Sequence, residues 1–573
     1  MRPEHSPGWA VKAPYRFWPM RSVANFPSDR WGCAGLLLFF LTRLSFCCAA
    51  EVSDPLFAGT EEPQPQGKLD EIVFRRLEEL KIRPAKVCSD PVFLRRVYLD
   101  VIGTLPTADE ARAFLANGSD SKRRELIDRL TARGEYADYW AMKWCDILRV
   151  KAEFPINLWP NAAQAYHRWI RTALAQNMPY DRFVRELLTA SGSNFREPQV
   201  NFYRAVQNRS PEGIAQALAL SFMGSRADKW EREQLQGLAN FFAYVGFKKT
   251  AEWKEEIVYH DTVRAAADAS AGRTLTGVLP DGTSMRLFAE RTDPRELLAD
   301  WLVSPKNPWF ARAVANRMWY WLLGRGIIHE PDDIRPDNPA QNPELLAYLE
   351  RELVASGYDL KYLMRLILHS QTYQLASIPR SNHPLAGEHF AHYHVRRLDA
   401  EVLIDALCQI TGTSEEYMSM IPEPFTFIPP EVRSIALPDG SITSPFLELF
   451  GRPPRDTGLE DERNNHMTAA QRLHLLNSSH IQKKIEQGPK LRAILMSIRN
   501  DPRKALDELY LTVLSRFPTD AELRTIREYV LEEAGTEGKN AAKFPLRGGG
   551  RGAGTAVDLT WSLLNSAEFL YKH

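Results

Sequence analysis

Residues 69–80 read Leu69-Asp70-Glu71-Ile72-Val73-Phe74-Arg75-Arg76-Leu77-Glu78-Glu79-Leu80. Leu69, Ile72, Val73, Leu77 and Leu80 fall three or four apart, which gathers them on one face of a helix. Most of the following sequence repeats this pattern and punctuates it. Thr107-Ala108-Asp109-Glu110, Thr468-Ala469-Ala470-Gln471 and Thr519-Asp520-Ala521-Glu522 fit the capping box, in which a hydroxyl and an acid or amide satisfy each other's orphan backbone N–H. Pro91, Pro160, Pro308, Pro343 and Pro502 stand where a first-turn proline costs no hydrogen bond, with Asp90, Asn307, Asn342 and Asp501 as N-caps. Gly103, Gly324, Gly357 and Gly412 close helices where a left-handed cap is needed. Strand signals are sparse. The clearest is 273–288, where Asp281-Gly282 turns a hairpin. Residues 421–446, rich in proline and β-formers, add a small sheet or a long ordered loop. The expected fold is mainly α, two helical domains with a small β connector or hairpin.

This punctuation divides the chain. Residues 69–250 form a first helical domain, 251–291 a connector with a possible β-hairpin, and 292–573 a second helical domain. Residues 51–68 are a Pro/Gln/Glu linker. Residues 1–50 read as a signal peptide: Gly35 to Leu41 is a short apolar run, and Cys48-Ala49-Ala50 supplies small residues for cleavage. Met20 is a possible true start. The run is too short to span a bilayer. Cys47 and Cys48 weakly suggest a lipidation site, but Phe46 stands where a small residue is wanted; the alternative for the whole run is a buried N-terminal strand. Residues 548–554, rich in glycine, follow no strand and lead to no Gly-Lys-Ser/Thr, so they read as a flexible insertion.

Composition bounds the function. The 573 residues carry 72 basic and 72 acidic side chains, with 44% hydrophobic residues, a balance typical of globular proteins. Zero formal charge removes the basic footprint of a nucleic-acid binder. Removing residues 1–50 takes away six basic and two acidic residues and leaves an exported body that is mildly acidic. That body keeps three cysteines, Cys88, Cys145 and Cys408, widely separated. An odd number allows one disulfide at most, and buried free thiols are the favoured reading.

No zinc-protease, hydrolase-elbow, dinucleotide or covalent-haem motif occurs, so no cofactor is expected. His389, His392 and His394 lie within six residues, yet with no neighbouring acid pattern they read as surface or packing histidines, and no metal is assigned. A second cluster is more informative. Arg317 falls on the apolar line of Phe310, Val314 and Trp321 in a helix from Pro308 to Leu323, with Asn316 beside it. A buried guanidinium needs a carboxylate, and Asp332, Asp333 and Asp337, with Arg335 among them, are downstream. A third cluster is Gly451-Arg452-Pro453-Pro454-Arg455 followed by Glu460-Asp461-Glu462-Arg463. The candidate polar site is therefore Asn316, Arg317, Asp332, Asp333, Arg335, Arg452, Arg455, Glu462 and Arg463. These groups form either a ligand cleft or internal ion pairs.

Phe93 to Thr107, with Asp100-Val101-Ile102-Gly103-Thr104-Leu105-Pro106 at its centre, resembles the opening of the domain of unknown function fifteen-forty-nine. Asp293-Pro294-Arg295, Asn316-Arg317-Met318-Trp319, Gly324-Arg325-Gly326, Asn342-Pro343-Glu344, Phe450 to Arg455 and Leu564 to Phe569 resemble its companion, fifteen-fifty-three. The resemblance runs over nearly all of residues 69–573. It implies an exported planctomycete-type protein, often with an added cytochrome-c-like domain, of unassigned activity. Many relatives carry Cys-x-x-Cys-His-x-His near the end of the first domain, where this chain has Met223-Gly224-Ser225-Arg226-Ala227-Asp228-Lys229-Trp230. A second cysteine segment, after the Arg-Pro-Pro-Arg turn, is likewise replaced by Gly458-Leu459-Glu460-Asp461. The expectation is a non-redox binding or accessory module for an exported protein partner or an envelope or extracellular polysaccharide. The alternative is a hydrolase using the Asp332/Asp333 acids with Arg317, Arg452 or Arg455 as charge clamps, which requires these segments to share one cleft. Neither reading involves nucleic acid or a membrane span, and neither sets an oligomeric state.

Overall fold

Thr107 and Thr468 each make both bonds of a capping box and open the helices Ala108–Ala116 and Ala469–Asn477. Thr519 and Glu522 exchange the same pair of bonds. Asn342 and Asp501 accept from the backbone of the helices Pro343–Ala355 and Pro502–Leu514, each with proline in the first turn. Two expected starts move. Ser89, not Asp90, precedes the helix Asp90–Val101, because Asp90 is drawn into ion pairs with Lys122 (2.5 Å) and Arg123 (2.9 Å). The helix expected from Pro308 runs Phe310–Leu323: the Asn307 side chain accepts from Trp309 N and Phe310 N, both at 2.9 Å, and delays the first turn.

The computed structural model describes residues 55–429, 431–497, 501–535 and 552–573. The expected leader and most of the glycine-rich insertion lie outside them. The protein is mainly α. The expected hairpin pairs Leu275–Val278 with Ser284–Leu287, and Gly282 takes the left-handed φ of +86° that its turn requires. The sparse strand signals understate the rest: Glu256–His260 lies between Gly192–Ser193 and Val245–Lys249 in an antiparallel sheet, and Arg396–Arg397 pairs with Tyr571–Lys572. Residues 421–429 and 431–446 are ordered loop with one 3₁₀ turn at Ser434–Ala436 and the start of a helix at Pro445. Among the described residues, no helix is long and apolar enough to cross a membrane.

One apolar core runs through residues from Ala58 to Leu570. Its centre is aromatic: Trp140 and Trp144 on the helix Gly134–Ile147 meet Trp321 edge-on, at 5.5 and 5.7 Å between rings, while Tyr180 stacks on Phe310 at 4.8 Å. Such contacts add about 0.5–1.5 kcal/mol each beyond area burial. Buried polar side chains join distant backbone. Arg95 donates to Val513 O (2.9 Å) and Phe569 O (2.8 Å), and Asp70 accepts from Gln371 N and Thr372 N, both at 2.9 Å. Cys88 and Cys145 are buried free thiols, and Cys408 is a half-buried one.

Candidate functional site

The helix Phe310–Leu323 ends on left-handed Gly324, and the loop after it folds back across the helix. Asn316 is fully buried and holds Ile328 from both sides, accepting its N–H and donating to its carbonyl, each at 2.9 Å. Arg317 donates to Asp332 (2.6 Å) and to the Ser221 carbonyl (2.8 Å). Burial opposes the charge on Arg317, but Asp332 beside it overrides that and holds its pKa above the ordinary arginine range. Gly224, at φ +59°, carries the next wall. Its carbonyl accepts from Ile334 N at 2.8 Å, and a Cβ there would meet the Pro331 carbonyl at 2.8 Å.

These anchors leave a cleft of about 790 Å³. Arg226, Lys229 and Trp230 line one side, Trp309, Arg312 and Glu350 another, and Asp333, Arg335 and Asp337 come from the loop. Arg312 pairs with Glu350 at 2.8 Å, and Arg335 pairs with Asp333 and Asp337, both at 3.2 Å. Arg226 reaches Glu330 and Asp461 only at 3.5 and 3.8 Å. Trp230 donates its indole N–H to Ser225 Oγ at 3.1 Å, which fixes its ring plane. Rings, carboxylates and guanidiniums thus face one concavity while remaining open to exchange with water.

The arginine-rich turn goes elsewhere. Arg455 donates to Asp146 at 2.8 Å, and Arg463 joins Asp146 (2.6 Å) to Glu401 (2.7 Å). Arg452 lies 3.5 Å from Glu401 and donates to the Ile442 and Asp439 carbonyls. Asp399 takes Lys143 at 2.9 Å and Asn465 at 2.8 Å. Burial alone would push Asp399 up, yet Lys143 and Arg463 hold its carboxyl well below the usual range. Glu462 stays outside the network and accepts from the Asp456 and Thr457 backbone at 3.3 and 2.7 Å, closing the turn.

Between these regions stands Glu460. Its N–H donates to Asp332 at 2.6 Å and its carboxyl accepts the Trp321 indole at 2.9 Å. Desolvation, helped by Asp332, pushes its pKa up to about 7 against the pull of Lys143 and Arg317. The residue is half-buried, with its carboxyl turned inward to the Trp321 indole.

The sequence candidates therefore separate. Asn316, Arg317 and Asp332 brace the loop, Asp333 and Arg335 face the cleft, Arg452, Arg455 and Arg463 are sealed among acids, and Glu462 caps a turn. Asp333 and Arg455 share no partner. His394 donates to the Gly387 carbonyl at 2.8 Å, and among the described residues no group of three His, Cys, Asp or Glu side chains is arranged to hold a metal ion. Sequence reasoning missed Trp230, Trp309, Lys143, Asp146, Asp399 and Glu401 as site members. The last two carried a signal: acids two residues apart, at the cap and in the first turn of the strongly apolar helix Ala400–Thr411.

Comparison with known families places this geometry. A model described as a protein of unknown function (DUF1549) matches residues 68–244, and one described as a protein of unknown function (DUF1553) matches residues 294–530. The chain belongs to the family that pairs these two domains. No curated protein and no solved structure matches it. In this paired-domain protein both polar regions draw on both matched segments. Trp230 and Trp309 line the same cleft, and Asp146 meets Arg455 and Arg463 in the sealed network.

Proposed function

We propose that this protein is a non-redox binding module that acts after export and takes a segment of an envelope or extracellular polysaccharide in the cleft. One observation carries the reading: Trp230 and Trp309 line the same concavity as the polar side chains of Gln234, Asn338, Asp333 and Arg335. A pyranose presents C–H groups on its faces and hydroxyls around its edge. Indole faces, electron-rich at their centres, suit the first, and side chains already at hydrogen-bonding positions suit the second. The wall segment Ser225–Trp230 supplies neither thiol nor imidazole, which supports the non-redox part of the reading. The test is retention of the purified protein on immobilised polysaccharides with neutral, amino-sugar and uronic-acid backbones. Trp230→Ala and Trp309→Ala are expected to cut retention by about tenfold or more. No retention on any backbone by a protein that melts cooperatively, or retention that survives both substitutions, overturns the proposal.

A second reading, hydrolysis, has Glu460 in its favour. A carboxyl that holds its proton to about pH 7 beside Asp332, the partner of Arg317, is suited to general acid work. Release of reducing ends from a retained polysaccharide, lost in Glu460→Gln with binding intact, would move the assignment to that reading.

A further inference from the structure

Three loops carry large apolar side chains that the fold leaves in solvent. Phe154 is 80% exposed, Met420 87%, Trp253 66%, Phe427 65% and Phe425 46%. Single exposed apolar residues are ordinary, but a contiguous set is not. This set is contiguous. Glu153 accepts from Met420 N at 3.0 Å and donates its own N–H to Ser441 Oγ at 2.9 Å, joining the first loop to the third. Half-buried Trp159 meets Trp253 edge-on at 6.4 Å and Phe425 at 5.3 Å. Lys254 Nζ stands 5.1 and 5.3 Å from the Trp159 and Trp253 ring centres. Asn194 holds the Lys254 carbonyl at 3.3 Å and the Glu256 N–H at 2.9 Å, fixing the base of the second loop. The loop bases are tied down while their tips stand clear.

We propose that this face seats the protein on a zwitterionic lipid surface. A side chain four-fifths exposed projects beyond its neighbours. A protein partner would need a separate hollow for each tip, whereas the acyl boundary of a bilayer closes round any projecting shape. The residue types agree with that medium. Phe and Met tips enter the apolar layer, indoles sit at headgroup depth, and a lysine beside them reaches back to phosphate level. The charges select the headgroup. Among the described residues of loops 151–159, 250–255 and 413–429, Lys254 is the one exposed cation, while Glu252, Glu416 and Glu423 are exposed acids, so these loops give an anionic surface no advantage over a neutral one. This contact needs no spanning helix, and it shares no residue with the cleft.

The test uses the full chain and phosphatidylcholine vesicles, with and without added phosphatidylserine. The expected results are co-sedimentation with phosphatidylcholine that phosphatidylserine does not strengthen, and tryptophan quenching by brominated phosphatidylcholine that falls in Trp253→Phe. The double variant Phe154→Ser/Met420→Ser is expected to bind about tenfold more weakly, at an unchanged melting temperature. Four outcomes overturn the proposal: no co-sedimentation, binding only when phosphatidylserine is present, binding unchanged in the double variant, or a dimer in solution that the double variant abolishes.

Discussion

Arg335 in the cleft and Arg455 in the sealed network each stand beside carboxylate, yet 48% of the Arg335 side chain is exposed against 1% for Arg455. Arg335 can trade Asp333 or Asp337 for a ligand oxygen at little cost, because water already competes for the same bonds. Arg455 cannot. Its carboxylate partner, Asp146, is shared with Arg463, and moving either guanidinium would leave a charge without compensation in a dry interior. The same residue types are thus recognition groups in one place and structural fasteners in the other. Solvent access, not residue identity, separates the two.

The comparison can be broken most directly at Asp146. Asp146→Ala strands Arg455 and leaves Arg463 to Glu401 and Asp399, and we expect a loss of about 3–5 kcal/mol in chemical denaturation, with the cleft affected only through global unfolding. A loss below about 1 kcal/mol would mean that water enters the network and that the contrast with the cleft is false. Asn316→Ala comes next. It leaves the Ile328 N–H and carbonyl buried and unpaired, so about 2–3 kcal/mol should be lost, together with retention on any polysaccharide that binds, because the cleft floor slackens.

Glu460 tests the boundary between the two regions through pH. Its folded pKa of about 7 lies above the ordinary glutamate value of 4.5. Between those values the native state keeps a proton that the unfolded chain releases, so this group makes stability fall as pH rises and leaves it lowered above about pH 7. Glu460→Gln should flatten that part of the stability profile measured by denaturant titration at several pH values. A slope that is unchanged in the variant would place the raised pKa elsewhere. The smallest effect is expected at Arg335: Arg335→Ala should change stability by less than about 1 kcal/mol. Weakened polysaccharide retention at that unchanged stability would sharpen the contrast with Asp146.

Much of the helical framework was legible from residues three or four apart. The capping boxes at Thr107 and Thr468, the N-caps at Asn342 and Asp501, and the left-handed glycines at 324 and 412 all work within one helical turn. The Arg317–Asp332 pair was also within reach, because a buried arginine on an apolar helical line requires a nearby acid. Asp90 misled because its side chain had two stronger claims, Lys122 and Arg123, than the backbone of its own helix. The sheet around Glu256–His260 was missed because its strands gain their order from pairing across the chain rather than from a long alternating pattern.

By itself, then, the sequence determined the helical class, most helix ends, the hairpin at 275–287 and the need of Arg317 for a carboxylate. These depend on bonds and periodicities confined to a few neighbouring residues. Only the tertiary structure decided that Arg455 turns to Asp146, 309 positions away, while Asp333 and Arg335 stay in an open cleft with Trp230 and Trp309. The physical reason is that an ion pair takes its strength from burial and from the partner within reach. Both are set when distant helices pack, after local preference has already been satisfied.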